Sequence, residues 1–166
     1  NNTAIGYNSL SANTTGSQNV GIGKEALAAN TTAANNVGVG DRAGKTLTTG
    51  TQNTFVGGAS GFNASTSDNN TGIGYGALFA TTTGANNTSV GTNSLLSNTT
   101  GTFNVAVGAN ALDANTTANE NTAVGYGVLT ANTTGASNVG MGSLALEANT
   151  TASNNTAIGT AALKAN

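Results

Sequence analysis

The sequence predicts an all-β fold, a parallel β-solenoid (β-roll) of ten 17-residue coils, and three observations predict it. An Asn recurs at a constant step of 17 residues, at Asn2, Asn19, Asn36, Asn53, Asn70, Asn87, Asn104, Asn121, Asn138 and Asn155. Four residues after each Asn stands a Gly, and the residue before that Gly is always apolar: Ile5, Ile22, Val39, Val56, Ile73, Val90, Val107, Val124, Met141, Ile158. Each unit then closes on turn chemistry such as Asn-Thr-Thr-Gly or Asn-Thr-Thr-Ala, and no insertion or deletion breaks the step. A constant length implies identical coils stacked on one axis, because loop insertion is the usual way in which solenoids vary. Residues 1–166 are therefore read as a single repeat domain. It starts in phase and stops mid-unit at Asn166, which gives the expectation of an excerpt from a longer fibre.

The unit from Asn121 to Ser137, NTAVGYGVLTANTTGAS, shows the elements in order. Around Asn121-Thr122-Ala123-Val124-Gly125 bulky and small residues alternate, which predicts a short strand with one bulky side and one side of close approach. The next piece, as in Ala26-Leu27-Ala28-Ala29, Ala145-Leu146-Glu147-Ala148 or Ala162-Leu163-Lys164-Ala165, is ambiguous. Its residue types favour a short helical turn, whereas so short a coil accommodates a second strand more easily. One or two short strands per coil are thus expected, with the second strand preferred. Asn13 to Gly16 and Asn149 to Ala152 then make the turn, where Asn tolerates positive φ and caps its own backbone.

Charge supplies an internal test of stacking. Lys24 precedes Asp41, Glu25 precedes Arg42 and Glu147 precedes Lys164, each by 17 residues, so each pair is expected to stack about one interstrand step of 4.8 Å apart. Phe62 and Phe79 share a column in the same way, with Leu96 above them. One unit cannot stand alone. Burying its Ile or Val and its Leu yields roughly 3–6 kcal/mol, against roughly 1–2 kcal/mol per residue for ordering the backbone. Intercoil hydrogen bonds and stacked Asn amides are the expected remedy.

Two units depart from the pattern. One has Gly44 where Leu is expected and carries Leu47 instead; the other has Gly61 there, followed by Phe62, and Phe55 replaces a small residue. Repacking by a shifted apolar side chain is the expected consequence. The alternative is a local kink or contact site formed by Arg42, Phe55 and Phe62.

Composition removes several function classes. The chain has no Cys, His, Pro or Trp, only 4% aromatic residues and a formal net charge of −2. Thiol and imidazole chemistry and the commonest zinc sites are absent with those residues. Four basic residues cannot track a phosphate backbone, so no nucleic-acid partner is expected. No run of 18 apolar residues occurs, so no membrane insertion is expected in this segment.

The glycines of Gly21-Ile22-Gly23 and Gly38-Val39-Gly40 are phases of the repeat, not a dinucleotide fingerprint within a βαβ unit. Calcium-binding nonapeptide repeats need an Asp in every turn, whereas Asp occurs only at positions 41, 68 and 113. Ser and Thr are abundant, but nothing is placed to activate one as a nucleophile. No catalytic, cofactor-binding or metal-ligating residues are assigned, and no cofactor is expected. Tyr7, Tyr75 and Tyr126 are read as surface packing. The paired threonines, Thr14-Thr15 through Thr150-Thr151, raise an ice-binding reading, but adjacent side chains of a strand point to opposite faces. The Asn-Thr-Thr triplets at Asn13 and Asn98 also match the N-glycosylation acceptor pattern.

Asn-Thr-Ala-Ile-Gly-Tyr at Asn2 to Tyr7 and Asn-Thr-Ala-Val-Gly-Tyr at Asn121 to Tyr126, with the Ala-Leu and Asn-Thr-Thr-Gly elements that follow, resemble repeats of phage tail-fibre-like and bacterial surface proteins. In those proteins the repeats often precede a C-terminal chaperone domain that trimerises and cleaves itself. The Ala-Ile-Gly core is also similar to the head repeats of trimeric autotransporter adhesins, three-chain left-handed parallel β-rolls whose repeat is shorter than this one. The resemblance implies a trimer, an extracellular location on a virion or cell surface, and a glycan or protein receptor as partner. The leading expectation is a non-enzymatic fibre or adhesin segment that holds a receptor-binding element. The alternatives are a filament subunit that stacks head to tail and an ice- or glycan-binding solenoid.

Overall fold

A computed structural model describes residues 1–165; Asn166, where the tenth coil stops short, lies outside them. Ten three-residue strands follow one another: β1 Thr3–Ile5, β2 Val20–Ile22, β3 Val37–Val39, β4 Thr54–Val56, β5 Thr71–Ile73, β6 Thr88–Val90, β7 Val105–Val107, β8 Thr122–Val124, β9 Val139–Met141 and β10 Thr156–Ile158. They form one parallel sheet in sequence order, in register at the 17-residue step, as in Thr3↔Val20 and Val105↔Thr122. The chain is a parallel β-solenoid without helix among its described residues. Register runs unbroken through the two irregular units, Val37↔Thr54 and Thr54↔Thr71, so the backbone ladder carries no slip there.

The second half of each coil is neither strand nor helix. It is a run of tight turns, with bonds from Ser9 N–H to Gly6 O (3.3 Å) and from Asn13 N–H to Leu10 O (3.1 Å). Alternate residues take left-handed backbone, for example Glu25 (φ 55) and Leu27 (φ 50), or Asn110 (φ 56) and Leu112 (φ 53). This corrects the preference for a second strand. Local propensity could not signal it, because a bulky residue in that region costs roughly 1–2 kcal/mol and is held by what surrounds it. Two interactions hold Leu27 there: its amide donates to Ala43 O of the next coil (2.9 Å), and its side chain is fully buried.

The interior is narrow. Leu27, Leu78, Leu95, Leu112, Leu129 and Leu146 form a buried column, and the middle residue of each strand from β2 to β10, most often Gly or Ala, points inward. The outer strand residues do not. Ile73 is 41% and Met141 40% exposed, and the Ile or Val of the other inner coils is half-exposed. The apolar residue before each Gly thus faces outward, contrary to the expectation that it joins the Leu in the core. A coil this small has room at the strand for Gly, Ala or Ser only, the exception being Phe55.

Polar ladders line the remaining wall. The amide N–H of Asn36 donates to Asn19 Oδ1 (3.0 Å), and Asn36 Nδ2 donates to the same oxygen (3.3 Å) and to Gly50 O (2.9 Å). The backbone-to-side-chain bond repeats along the column to Asn155 N–H and Asn138 Oδ1 (2.9 Å). The Asn amide accepts from the next coil with its oxygen and donates across its own coil with its nitrogen, which suits Asn to every one of these positions. A second ladder joins Asn98, Asn115, Asn132 and Asn149, with Nδ2 to Oδ1 distances of 2.9, 3.2 and 3.0 Å. These are the Asn of the Asn-Thr-Thr triplets. Asn98 is fully buried, so the folded chain does not present it for glycosylation.

Candidate functional site

The irregular units place three residues of interest differently. Phe55 is completely buried and its ring fills the gap left by two glycines; a Cβ on Gly61 would stand 2.4 Å from its Cδ1 and one on Gly44 3.0 Å from its Cδ2. Leu47 takes a place in the second Asn column and is also fully buried. The interruption leaves both amide atoms of buried Asn30 without a protein partner. Phe55 is therefore a core residue. It does not join Arg42 and Phe62, which meet each other on the surface.

There, Phe62 and Phe79 stack with ring centroids 5.1 Å apart and planes at 11°, about one interstrand step. Arg42 Cζ lies 5.9 Å and Lys45 Nζ 5.8 Å from the Phe62 ring centre, within cation–π range. The ion pairs differ from the expected vertical set. Arg42 Nε binds Asp41 of its own coil (2.8 Å) and Lys45 Nζ binds Glu25 (2.9 Å), while Lys164 and Glu147 pair as expected (2.9 Å). Long side chains reach past the nearest neighbour in the column, so a 17-residue offset fixes stacked backbones and not which charges touch. The paired threonines of the inner coils divide similarly: Thr31 Oγ1 donates to Thr48 O (3.2 Å) and is partly buried, whereas Thr32 is exposed; in the end pairs, Thr14-Thr15 and Thr150-Thr151, both are exposed.

The Lys45 ammonium, hydrogen-bonded to Glu25 and opposite to it in charge, holds the Glu25 carboxyl below its ordinary value of 4.5. A lowered folded value means that the pair's small stabilisation is complete above the unfolded value and is lost as pH falls through the folded one. Lys45→Gln should therefore reduce the acid sensitivity of the fold. The check is the urea midpoint at about pH 6 and about pH 3, where the variant should lose less than the parent on acidification.

Beyond Phe79 the strip continues into a groove of about 430 Å³ lined by Tyr75, Gly76, Phe79, Ala80, Asn93, Leu96 and Ser97. Tyr75, read from sequence as surface packing, is one of its walls. The signal available in sequence was the spacing Tyr75-Gly76-x-x-Phe79, which occurs once in the chain. Among the described residues no three carboxylates gather as a metal site.

The fold defines the class, a β-solenoid repeat protein built of 17-residue coils. No protein-family model matches the chain, and no curated protein or solved structure is detectably similar to it.

Proposed function

We propose that the chain is a non-enzymatic structural segment of an extracellular fibre or adhesin, a shaft or head that holds a receptor-binding element at a distance, and that three copies assemble around one axis. The observation that carries this reading is the outward face of the sheet. Every strand presents two β-branched residues, or Val139 and Met141 in β9, and none presents a charge. Ten strands at about 4.8 Å make a stripe roughly 43 Å long. The column before the glycines, Ile5 to Ile158, is apolar throughout, while the column beside it is Thr in six strands and Val in four; soluble monomers seldom leave so continuous an apolar column open. The resemblance to trimeric surface-protein repeats supports the same arrangement, and the rigid in-register stack suits a part whose work is length and stiffness.

Light scattering tests it. The expected mass is three times 16.0 kDa, independent of concentration. Val107→Lys, in the middle of the stripe and already 37% exposed, should reduce that mass to one chain while the circular dichroism spectrum is kept. A parent chain that is monomeric at every concentration overturns the proposal, and a mass that grows without limit replaces it with head-to-tail filament assembly.

A further inference from the structure

The groove on coils five and six lies in the turn half of the solenoid and is not used by the sheet face. Its origin is a missing side chain. Gly76 sits between Tyr75 and Phe79 with φ 64, and a Cβ there would fall 2.7 Å from Asn93 Oδ1 and 3.4 Å from Leu96 Cδ1. The same repeat position carries Asn93, Asn110 and Leu144 in other coils at φ 55, 56 and 59, so the backbone does not require Gly; the space does. The resulting volume, about 430 Å³, lies in the range of small-molecule sites.

The chemistry of the walls is mixed in a particular way. Tyr75, Phe79 and Leu96 are apolar or aromatic, Asn93 and Ser97 are polar, and no lining residue is charged. Some polar side chains of the turn half are consumed by intercoil bonds, as Thr46 Oγ1 is by Phe62 O (2.9 Å) and Asn115 Nδ2 by Asn98 Oδ1 (2.9 Å). The side chains of Asn93 and Ser97 make no hydrogen bond to another described residue. They stand at an apolar groove with their donors and acceptors unspent.

We propose that this groove binds one neutral sugar ring, such as the terminal pyranose of a glycan. A pyranose has an apolar C–H face and a hydroxyl edge. The aromatic walls accept the first by dispersion and ring electrostatics, and the Asn93 amide and Ser97 hydroxyl bond the second. An acidic sugar or a phosphate finds no free cation here, because Arg42 and Lys45 lie over Phe62 and are engaged by Asp41 and Glu25. Tyr126-Gly127 repeats the first two residues of the arrangement, but Thr130 stands where Phe79 would be. The proposal does not depend on trimerisation, and its test reads binding at the groove alone.

Saturation-transfer NMR on the whole chain with free glucose, galactose, mannose and N-acetylglucosamine should show transfer to the ring protons of at least one. Gly76→Leu installs the residue that coil nine carries as Leu144, fills the groove, and should weaken that binding by about tenfold or more. Gly127→Leu, the same change three coils on, should leave it unaltered. Phe79→Ala removes a wall without adding bulk and should also weaken it, which keeps the test open if Gly76→Leu fails to fold. No transfer to any sugar at millimolar concentration overturns the proposal. So does transfer that survives both groove variants, or a response confined to an apolar peptide.

Discussion

Gly108→Ala should destabilise the solenoid by several kcal/mol, of the order of one strained backbone residue plus an overpacked contact at about 1–3 kcal/mol each. Gly108 follows β7 with φ 136, a left-handed extended backbone that side chains with a Cβ rarely adopt. An added Cβ would also stand 2.3 Å from Gly125 O and 2.6 Å from Gly125 C. That neighbour is backbone held in the ladder, since Gly125 N–H donates to Val107 O at 2.8 Å, and it cannot swing away as a side-chain tip would. Each coil touches only its neighbours, so the damage should localise between coils seven and eight. Limited proteolysis should then cut there first, and thermal unfolding should broaden or split. Gly127→Asn is the contrasting case. Its φ of 61 matches Asn93 and Asn110 at the same repeat position, and the melting temperature should move little.

The second large effect concerns Phe55. Phe55→Ala should cost about 3–5 kcal/mol, the usual penalty for truncating a fully buried aromatic ring. Gly61→Leu should also destabilise, because its Cβ would enter the ring of Phe55 at 2.4 Å from Cδ1 and Cε1. Combined, the two changes recreate the pair that coil seven has in Ala106 and Leu112, and Gly61 already has the φ of 58 that suits the column, against 53 at Leu112. The double variant should recover most of the loss. A urea double-mutant cycle would show strong favourable coupling between the changes. Additive losses would mean that the ring does not stand in for a column Leu.

How much of this was legible beforehand depends on whether a property follows the chain or the cross-section. The column of Phe62, Phe79 and Leu96 could be read directly, because stacked backbones bring every seventeenth residue together. The repacking around Gly44, Leu47, Phe55 and Gly61 could be anticipated as compensation, but only the structure placed Phe55 in the core and away from Arg42. The groove was the least legible feature. Its walls come from consecutive coils, and its floor is an absent side chain at Gly76.

By itself the sequence determined the coil length, the parallel in-register stack and the columns, including the Asn ladder, because a strict 17-residue period admits no other register. The tertiary structure alone decided which side of each strand faces inward. In a three-residue strand the alternation reads equally well in either direction. The narrow interior resolves it, since the space facing the strands accepts Gly, Ala or Ser opposite the Leu column and turns Ile and Val outward. It also decided the left-handed turns at residues such as Leu27 and Leu112. Intercoil hydrogen bonds and burial hold a conformation there that local propensity opposes.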